Sequence, residues 1–385
     1  MLPFFYQLNR HNSYVNNYEN SVAIIGAGIS GLALGSFLKE NNISCVIFEK
    51  SSNISEYGAG ISISPNGKDV LEKLNILEEL KAISGNSKKT IFYSNLKEIT
   101  SIDTDVLTTS RKNLYDLLLK KYSSLGGEIL FDYELKDIDI GKKQIYFANG
   151  ISHHVKHIAA CDGIKSKCRQ ICFKSEMPEY SGYSVWRAIL DQKQADINFH
   201  LGPGFHIVSY PISNTKTSFV AAIKTKEKNE ESWMLRGTYS DLSKDIPVEI
   251  LNNFQALKNT QDIYKWGIYT RPKIESLYST NLTLFGDAAH PITPFIGQGG
   301  CMALEDVCEF SKLLKSNDAE FLKTQKEYEL KRLKRVRYIN KASMNQGKLN
   351  HINNSLLVFL RNFMMKYTNI VGLISRKIWE YRIQD

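Results

Sequence analysis

Two glycine-bearing motifs, lying far apart in the chain, constrain it most. The first is Gly26-Ala27-Gly28-Ile29-Ser30-Gly31. The second is Gly286-Asp287-Ala288-Ala289-His290-Pro291, running on to Gly297-Gln298-Gly299-Gly300 and Glu305-Asp306. Either alone is a weak signal. With Ala160-Cys161-Asp162-Gly163 between them, they describe one long cofactor held at both ends.

The first motif stands in the context it needs. Val22-Ala23-Ile24-Ile25 is a short apolar run, the pattern of a buried parallel strand. Leu32, Leu34, Phe37 and Leu38 continue beyond the glycines as a helix. Cys45-Val46-Ile47-Phe48 forms a second strand, ending at Glu49 and Lys50. In a strand–turn–helix of this kind the first glycine permits the tight turn. The second lets the backbone approach a pyrophosphate, and the third lets helix and strand pack closely. The helix N-terminus offers free N–H groups and a positive dipole to the phosphates. Glu49, at the end of the second strand, is placed to accept hydrogen bonds from a ribose diol and would repel a 2′-phosphate. The dinucleotide is therefore expected to be FAD or NAD, not NADP, and the distant second motif favours FAD.

Composition narrows the class further. The chain has 385 residues, enough for two or three structural units, and a net charge of +9. A basic chain attracts acidic substrates, anionic lipid or nucleic acid. With no RNP-like strand and no zinc spacing, nucleic acid is not an expected partner. The six cysteines form no CxxC pair and read as reduced, mostly buried thiols of a cytoplasmic protein. Cys168 and Cys172 lie four apart, but two thiols do not make a metal site, and no metal is expected. Residues 1–20 are a polar, Asn- and Tyr-rich lead-in without the regions of a signal peptide.

Along the chain, the stretch from about 104 to 122 reads as a helix with Arg111 at its start and Leu114, Leu117, Leu118 and Tyr122 as its apolar face. Strands are expected at 128–133 and 144–148, a strand-rich middle from 183 to 270, and helices from about 300. His153, His154 and His157 are expected in an exposed connection. No repeat or low-complexity linker separates these stretches, so the units are expected to interleave. The divisions are 21–180 and 276–345 for cofactor binding, 181–275 for a substrate-binding sheet, and 346–385 for a helical tail. In that tail Leu356, Leu357, Phe359, Leu360, Phe363, Met364, Tyr367, Ile370 and Val371 have helical spacing among Arg361, Lys366, Arg376 and Lys377. The default reading is a helix packed on the protein's own core or on a dimer partner. The sharper one is a helix in peripheral contact with a membrane. Monomer and homodimer both stay open.

These residues resemble the class A flavoprotein monooxygenases, the single-component FAD-dependent aromatic hydroxylases, over residues 21 to about 345. The branch is that of the salicylate, 3-hydroxybenzoate and urate hydroxylases and the zeaxanthin epoxidases. Gly58-Ala59-Gly60-Ile61-Ser62-Ile63-Ser64-Pro65-Asn66 resembles the segment that passes near the flavin ring, and Ser110-Arg111 the helix start whose arginine contacts FAD. Asp162, in Cys161-Asp162-Gly163, resembles the family's middle fingerprint, although Cys161 departs from the usual Ala or Gly. Gly286-Asp287 resembles the motif whose aspartate binds the flavin ribitol. Tyr183-Ser184-Val185-Trp186-Arg187, Tyr210-Pro211 and Glu231-Ser232-Trp233 also fit this branch.

The resemblance implies an α/β fold: a Rossmann-like FAD-binding domain interleaved with a substrate domain on a large mixed β-sheet, followed by a helical C-terminal region. It implies NADH or NADPH and O2 as co-substrates, and hydroxylation of a small aromatic or heteroaromatic ring through a flavin C4a-hydroperoxide. Pro294 would stiffen the turn, and Gly297, Gly299 and Gly300 would let backbone amides approach the flavin pyrimidine end. On a strand at 205–210, His206, Val208 and Tyr210 share one face. His206 or Tyr210 would accept a phenol or purine proton or hydrogen-bond the substrate, a role that the imidazole pKa suits at neutral pH, and Arg187 would bind a carboxylate as a fork or pair with an acidic neighbour. Two other functions remain in view: a hydroxylase or epoxidase of a membrane-borne ubiquinone precursor or polyene, and a flavin-binding oxidoreductase without oxygenation.

Overall fold

The computed structural model describes residues 18–52, 59–174, 177–226, 235–271 and 273–383. Most of the 1–20 lead-in, Gly58 and the Glu231-Ser232-Trp233 segment lie outside these residues.

Apolar runs form the first sheet. Strands Val22–Ile25, Cys45–Phe48 and His157–Ala160 are buried throughout. They run parallel, with Val22 beside both Cys45 and His157, and are flanked by Leu282–Leu284 and Glu128–Leu130. A short strand, Tyr278–Ser279, completes the six. Gly26 turns the chain out of the first strand at φ +102°, where a Cβ would sit 2.6 Å from the Cys161 carbonyl oxygen. The helix Ile29–Glu40 follows immediately.

The second sheet has eight strands and draws on two parts of the chain. Its order is 236–237, 263–270, 179–190, 217–224, 205–211, 197–202, 89–94, 97–103. All neighbours are antiparallel except 197–202 with 89–94, so the sheet is mixed. Strands 89–103 come from the N-terminal half, before the chain re-enters the first sheet at His157–Ala160. The two units are therefore interleaved, as the α/β reading requires. Helices Gly299–Ser316 and Phe321–Asn350 pack beside the first sheet.

Two local expectations are corrected. The helix read from 104 begins only at Arg111. Leu107–Ser110 is a strand antiparallel to Gly60–Ile63, and Ser110 then caps the helix by accepting the Asn113 N–H at 3.0 Å. The Thr-Thr pair suits an extended edge better than a helix start.

The three histidines do not share an exposed connection. His154 is exposed, but His153 is buried and His157 fully so, inside the parallel sheet. His157 stacks 4.4 Å from Phe321, and its Nε2 lies 2.9 Å from the Thr283 hydroxyl. Burial, helped by Lys143, pushes its pKa down to about 3. An unfolded histidine titrates near 6.5, so below that pH the unfolded chain binds the extra proton and stability falls as pH drops. Between pH 7 and 5 this residue alone is expected to remove about 2 kcal/mol. Denaturant unfolding at both pH values checks this, and His157→Gln should flatten the difference.

Candidate active site

One cavity of about 940 Å³ runs between the two sheets and under the C-terminal helices. The glycine turn forms one end. Gly28, Ile29, Ser30 and Lys50 line it, while Gly26 and Gly31 close the turn behind them. A Cβ on Gly31 would lie 2.0 Å from the Gly26 carbonyl oxygen, whereas one on Gly28 would meet nothing within 4 Å. The helix beginning at Ile29 has no side-chain cap and no acidic residue in its first turn. Ile29 and Ser30, in its first turn, lie on the cavity wall. Glu49 is absent from the cavity wall. Its Oε2 accepts the Ala27 N–H at 2.8 Å and its Oε1 the Ser51 N–H at 2.9 Å, so the carboxylate braces the turn. Each oxygen keeps a further lone pair.

Arg169 ties the middle motif to the far one. Buried between them, it donates from Nε to the Ala288 carbonyl at 2.8 Å and from Nη2 to that of Ala289 at 2.7 Å. Asp162, on the cavity wall, accepts the Cys168 N–H on one oxygen. Its other oxygen is buried with no partner among the described residues. Desolvation raises the Asp162 pKa against the pull of Ser166 and Cys168.

The far motif rests on a buried ion network. Asp306 accepts the Gly286 N–H at 3.1 Å and Arg332 Nε–H at 2.8 Å, and lies 2.5 Å from His290 Nε2. Burial alone would raise the Asp306 carboxyl, but His290 and Arg332 outweigh it and hold it below the usual range. Glu305 pairs with Arg332 at 2.6 Å and Arg335 at 3.0 Å and accepts from Asn66 at 2.6 Å. Asn66 also donates to Gln298, joining the 59–66 segment to the 297–300 loop.

With the turn fixed in this way, Asp287 projects from it into the cavity. Its surroundings are dense, yet its carboxylate is bare on the cavity wall. Desolvation raises its pKa, while Arg111 and His290 pull the other way. Gly60, Ile61, Arg111, Pro294, Gly297, Gly299 and Gly300 line the same stretch. Gly297 sits at φ +63° with a Cβ position 2.6 Å from Ser62 Oγ, and Gly299 faces open space. The helix Gly299–Ser316 also starts without a side-chain cap.

The strand Phe205–Pro211 forms the roof. His206, Val208 and Tyr210 line the cavity, while Ile207 is buried in the core behind the sheet. Arg187 lines it too, its guanidinium 4.9 Å over the Trp266 ring. Burial pushes the Arg187 pKa down to about 10, against a raising effect of Tyr210. Burial raises the Tyr210 pKa, with Arg187 and Ser218 opposing, so the phenol keeps its proton and donates at neutral pH.

His206 differs from expectation in its ionisation. Burial and the neighbouring His351 hold its pKa well below the usual value, so it does not switch at neutral pH. His206 Nδ1 lies 3.0 Å from His351 Nε2, and His351 Nδ1 lies 2.7 Å from the Gly347 carbonyl oxygen. A carbonyl only accepts, so His351 Nδ1 carries that ring's proton. Burial lowers the His351 pKa, although the Gly347 and Ala222 carbonyls oppose it. The neutral His351 therefore accepts at Nε2, despite a longer 3.3 Å approach to the Ala222 oxygen. His206 must then donate from Nδ1, which leaves its Nε2 as a lone-pair acceptor. The sequence offered no signal for His351, a lone histidine at the end of a helix.

The arrangement fits FAD. Two uncapped helix N-termini suit a pyrophosphate and the electron-rich end of a reduced flavin. The open positions at Gly28 and Gly299 admit close backbone approach. The bare Asp287 carboxylate and the partnerless Asp162 oxygen supply acceptors for a polyhydroxylated chain.

Comparison with known proteins agrees. A family model described as "FAD binding domain" matches residues 19–337. The 3-amino-4-hydroxybenzoate 2-monooxygenase of Streptomyces cremeus is 24% identical over 342 residues, 84% of this chain and 85% of that protein. The 3-hydroxybenzoate 6-hydroxylase of Klebsiella oxytoca is 25% identical, covering 85% of this chain and 88% of its own length. In fold, the chain is similar to Klebsiella pneumoniae HpxO complexed with FAD and uric acid, with a TM-score of 0.81 at 21% identity. That match covers 93% of this chain and 96% of the other.

Proposed function

The chain belongs to the FAD-binding-domain family, as a class A aromatic monooxygenase with FAD as cofactor, and on that premise we propose that it hydroxylates a small aromatic or heteroaromatic ring with NADH or NADPH and O2. One observation carries this reading. The roof face of His206 and Tyr210 opens onto the same cavity as Asp287 and the Gly297–Gly300 loop. A ring held under that roof would share the cavity with a flavin held by that loop.

Bound FAD supplies reducing power from the nicotinamide and an electrophilic oxygen derived from O2. The balance is one ring C–H, one O2, one NAD(P)H and one proton giving a ring hydroxyl, water and NAD(P)+. The protein's own residues bind, orient and shield. Gly28, Ile29, Ser30 and Lys50 hold the pyrophosphate, and Gly26 and Gly31 keep that turn in shape. Glu49 reaches the ribose with its remaining lone pairs. Asp287 would hold the ribitol, and Arg111 and Asp162 would contact the cofactor between its two ends. Gly60, Ile61, Pro294, Gly297, Gly299 and Gly300 frame the ring.

Above the ring, the lone pair of His206 Nε2 accepts a hydrogen bond from a ring hydroxyl or ring N–H. Tyr210 donates to a ring oxygen. Arg187 forks a carboxylate, the group that the named relatives' hydroxybenzoate substrates carry. His351 acts through His206 by keeping its tautomer.

A panel of hydroxybenzoates, aminohydroxybenzoates and purines, followed by NADH or NADPH consumption and product mass, tests the reading. His206→Asn and Tyr210→Phe are expected to keep their flavin and lose coupling to product, each lost hydrogen bond to the ring costing about 0.5–1.5 kcal/mol, or roughly 2- to 13-fold in rate. His351→Gln should preserve the acceptor for His206 and His351→Leu should not, a difference also visible in the ring 15N shifts of His206. Wild-type hydroxylation in both roof variants would remove this face from the substrate site.

A further inference from the structure

The C-terminal helices Ser355–Tyr367 and Ile370–Trp379 have two differently used sides. On one, Leu357, Met364, Ile374 and Ile378 border the cavity. Arg361 anchors this side, donating to the Leu349 carbonyl at 3.1 Å. On the other, Leu356, Phe359, Leu360, Phe363 and Tyr367 follow the spacing of a single helix face and point outward. Phe359 is 62% exposed, Phe363 51% and Tyr367 65%. Half of the large apolar side chains that are exposed among the described residues fall within 356–374. The expected packing of this tail on the protein's own core is thus only partial, and an apolar patch of this kind marks a contact surface.

Charge identifies what covers it. Between Leu330 and Trp379 there is no Asp or Glu, against eleven Lys and Arg, of which only Lys331, Arg332 and Arg335 pair with carboxylates of the preceding helix among the described residues. Lys366, Arg376 and Lys377 are exposed around the apolar face. A second copy meeting this face through a two-fold axis would set these cations against themselves, with no carboxylate between Leu330 and Trp379 to relieve them. An anionic lipid headgroup layer relieves them, while the aromatic and aliphatic face enters the acyl boundary.

We propose that the 355–379 helix pair docks the protein onto anionic lipid surfaces. No described helix is long and apolar enough to cross a membrane, so the contact is peripheral. Docking turns the tail-bordered side of the cavity toward the headgroup layer. Resting on the hydroxylase reading, this places the site where a ring with apolar substituents concentrates.

The test is sedimentation of the holoenzyme with vesicles of phosphatidylcholine alone or mixed with phosphatidylglycerol. Co-sedimentation is expected with the mixed vesicles at low salt, and not with phosphatidylcholine alone or at high salt. The double variant Phe359→Ser/Phe363→Ser should stay in the supernatant with unchanged flavin content. Lys366→Glu/Lys377→Glu should lower partitioning by about tenfold or more. The proposal is overturned if the wild type ignores anionic vesicles at low salt. It is equally overturned if the face mediates a concentration-dependent dimer that the double serine variant dissolves. Assay of a water-soluble ring without vesicles separates the two claims: docking can fail while that hydroxylation persists, and hydroxylation can fail while docking persists.

Discussion

Glu305→Ala is expected to destabilise the flavin-free protein by about 3–5 kcal/mol, a large fraction of a domain's stability. Glu305 is 1% exposed and faces Arg332, which is fully buried, and Arg335. Removing the carboxylate leaves two buried guanidinium groups short of a counter-charge, and strips Asn66 of one acceptor. Asp306 still pairs with Arg332, so the loss is partial. Glu305→Gln keeps an acceptor without the charge and should fall between. Denaturant midpoints of the flavin-free variants check the order. A midpoint for Glu305→Ala equal to wild type would mean that this network does not hold helices Gly299–Ser316 and Phe321–Asn350 together.

Asp287→Ala is expected to do the opposite: weaken FAD binding while sparing the fold. Its carboxylate takes no bond from the described protein and faces the cavity. Losing a charge-assisted bond to the ribitol costs about 1.5–3 kcal/mol, or about 10- to 150-fold in affinity. The flavin-free variant should be no less stable than wild type, since burial already works against the charge on Asp287. Flavin fluorescence titration gives the affinity, and the same denaturant series gives the stability. Equal flavin affinity in Asp287→Ala and wild type would show that the ribitol lies elsewhere.

These two residues stand 18 positions apart in one motif region, yet the chain displayed their roles unequally. The cofactor turns were legible because glycine chemistry is local: Gly26, Gly28 and Gly31 are required by a strand–turn–helix that can be read within a few residues. Buried strands such as Val22–Ile25 were legible as uninterrupted apolar runs. The roof face was legible from the two-residue period of a strand, which put His206 and Tyr210 on one side.

Long-range polar pairings leave no such period. Arg332 and Arg335 lie on a helix full of solvated lysines, and nothing local marks them as partners of Glu305 and Asp306. His351 meets His206 across 145 residues. His157 sits among polar neighbours in His153-His154-Val155-Lys156-His157, and only the sheet that forms beside Val22 makes it interior. The tail showed its amphipathic spacing plainly, but spacing alone does not say whether a face meets core, copy or lipid.

The most direct measurement of the central claim is oxygen labelling. The flavin-loaded protein is given NADH or NADPH and each ring compound under 18O2, and the product is analysed by mass spectrometry. The account predicts a ring compound whose hydroxylated product carries one 18O atom, formed in step with nicotinamide oxidation. Contradiction would be label derived from water, or nicotinamide oxidation that yields only hydrogen peroxide across the whole panel.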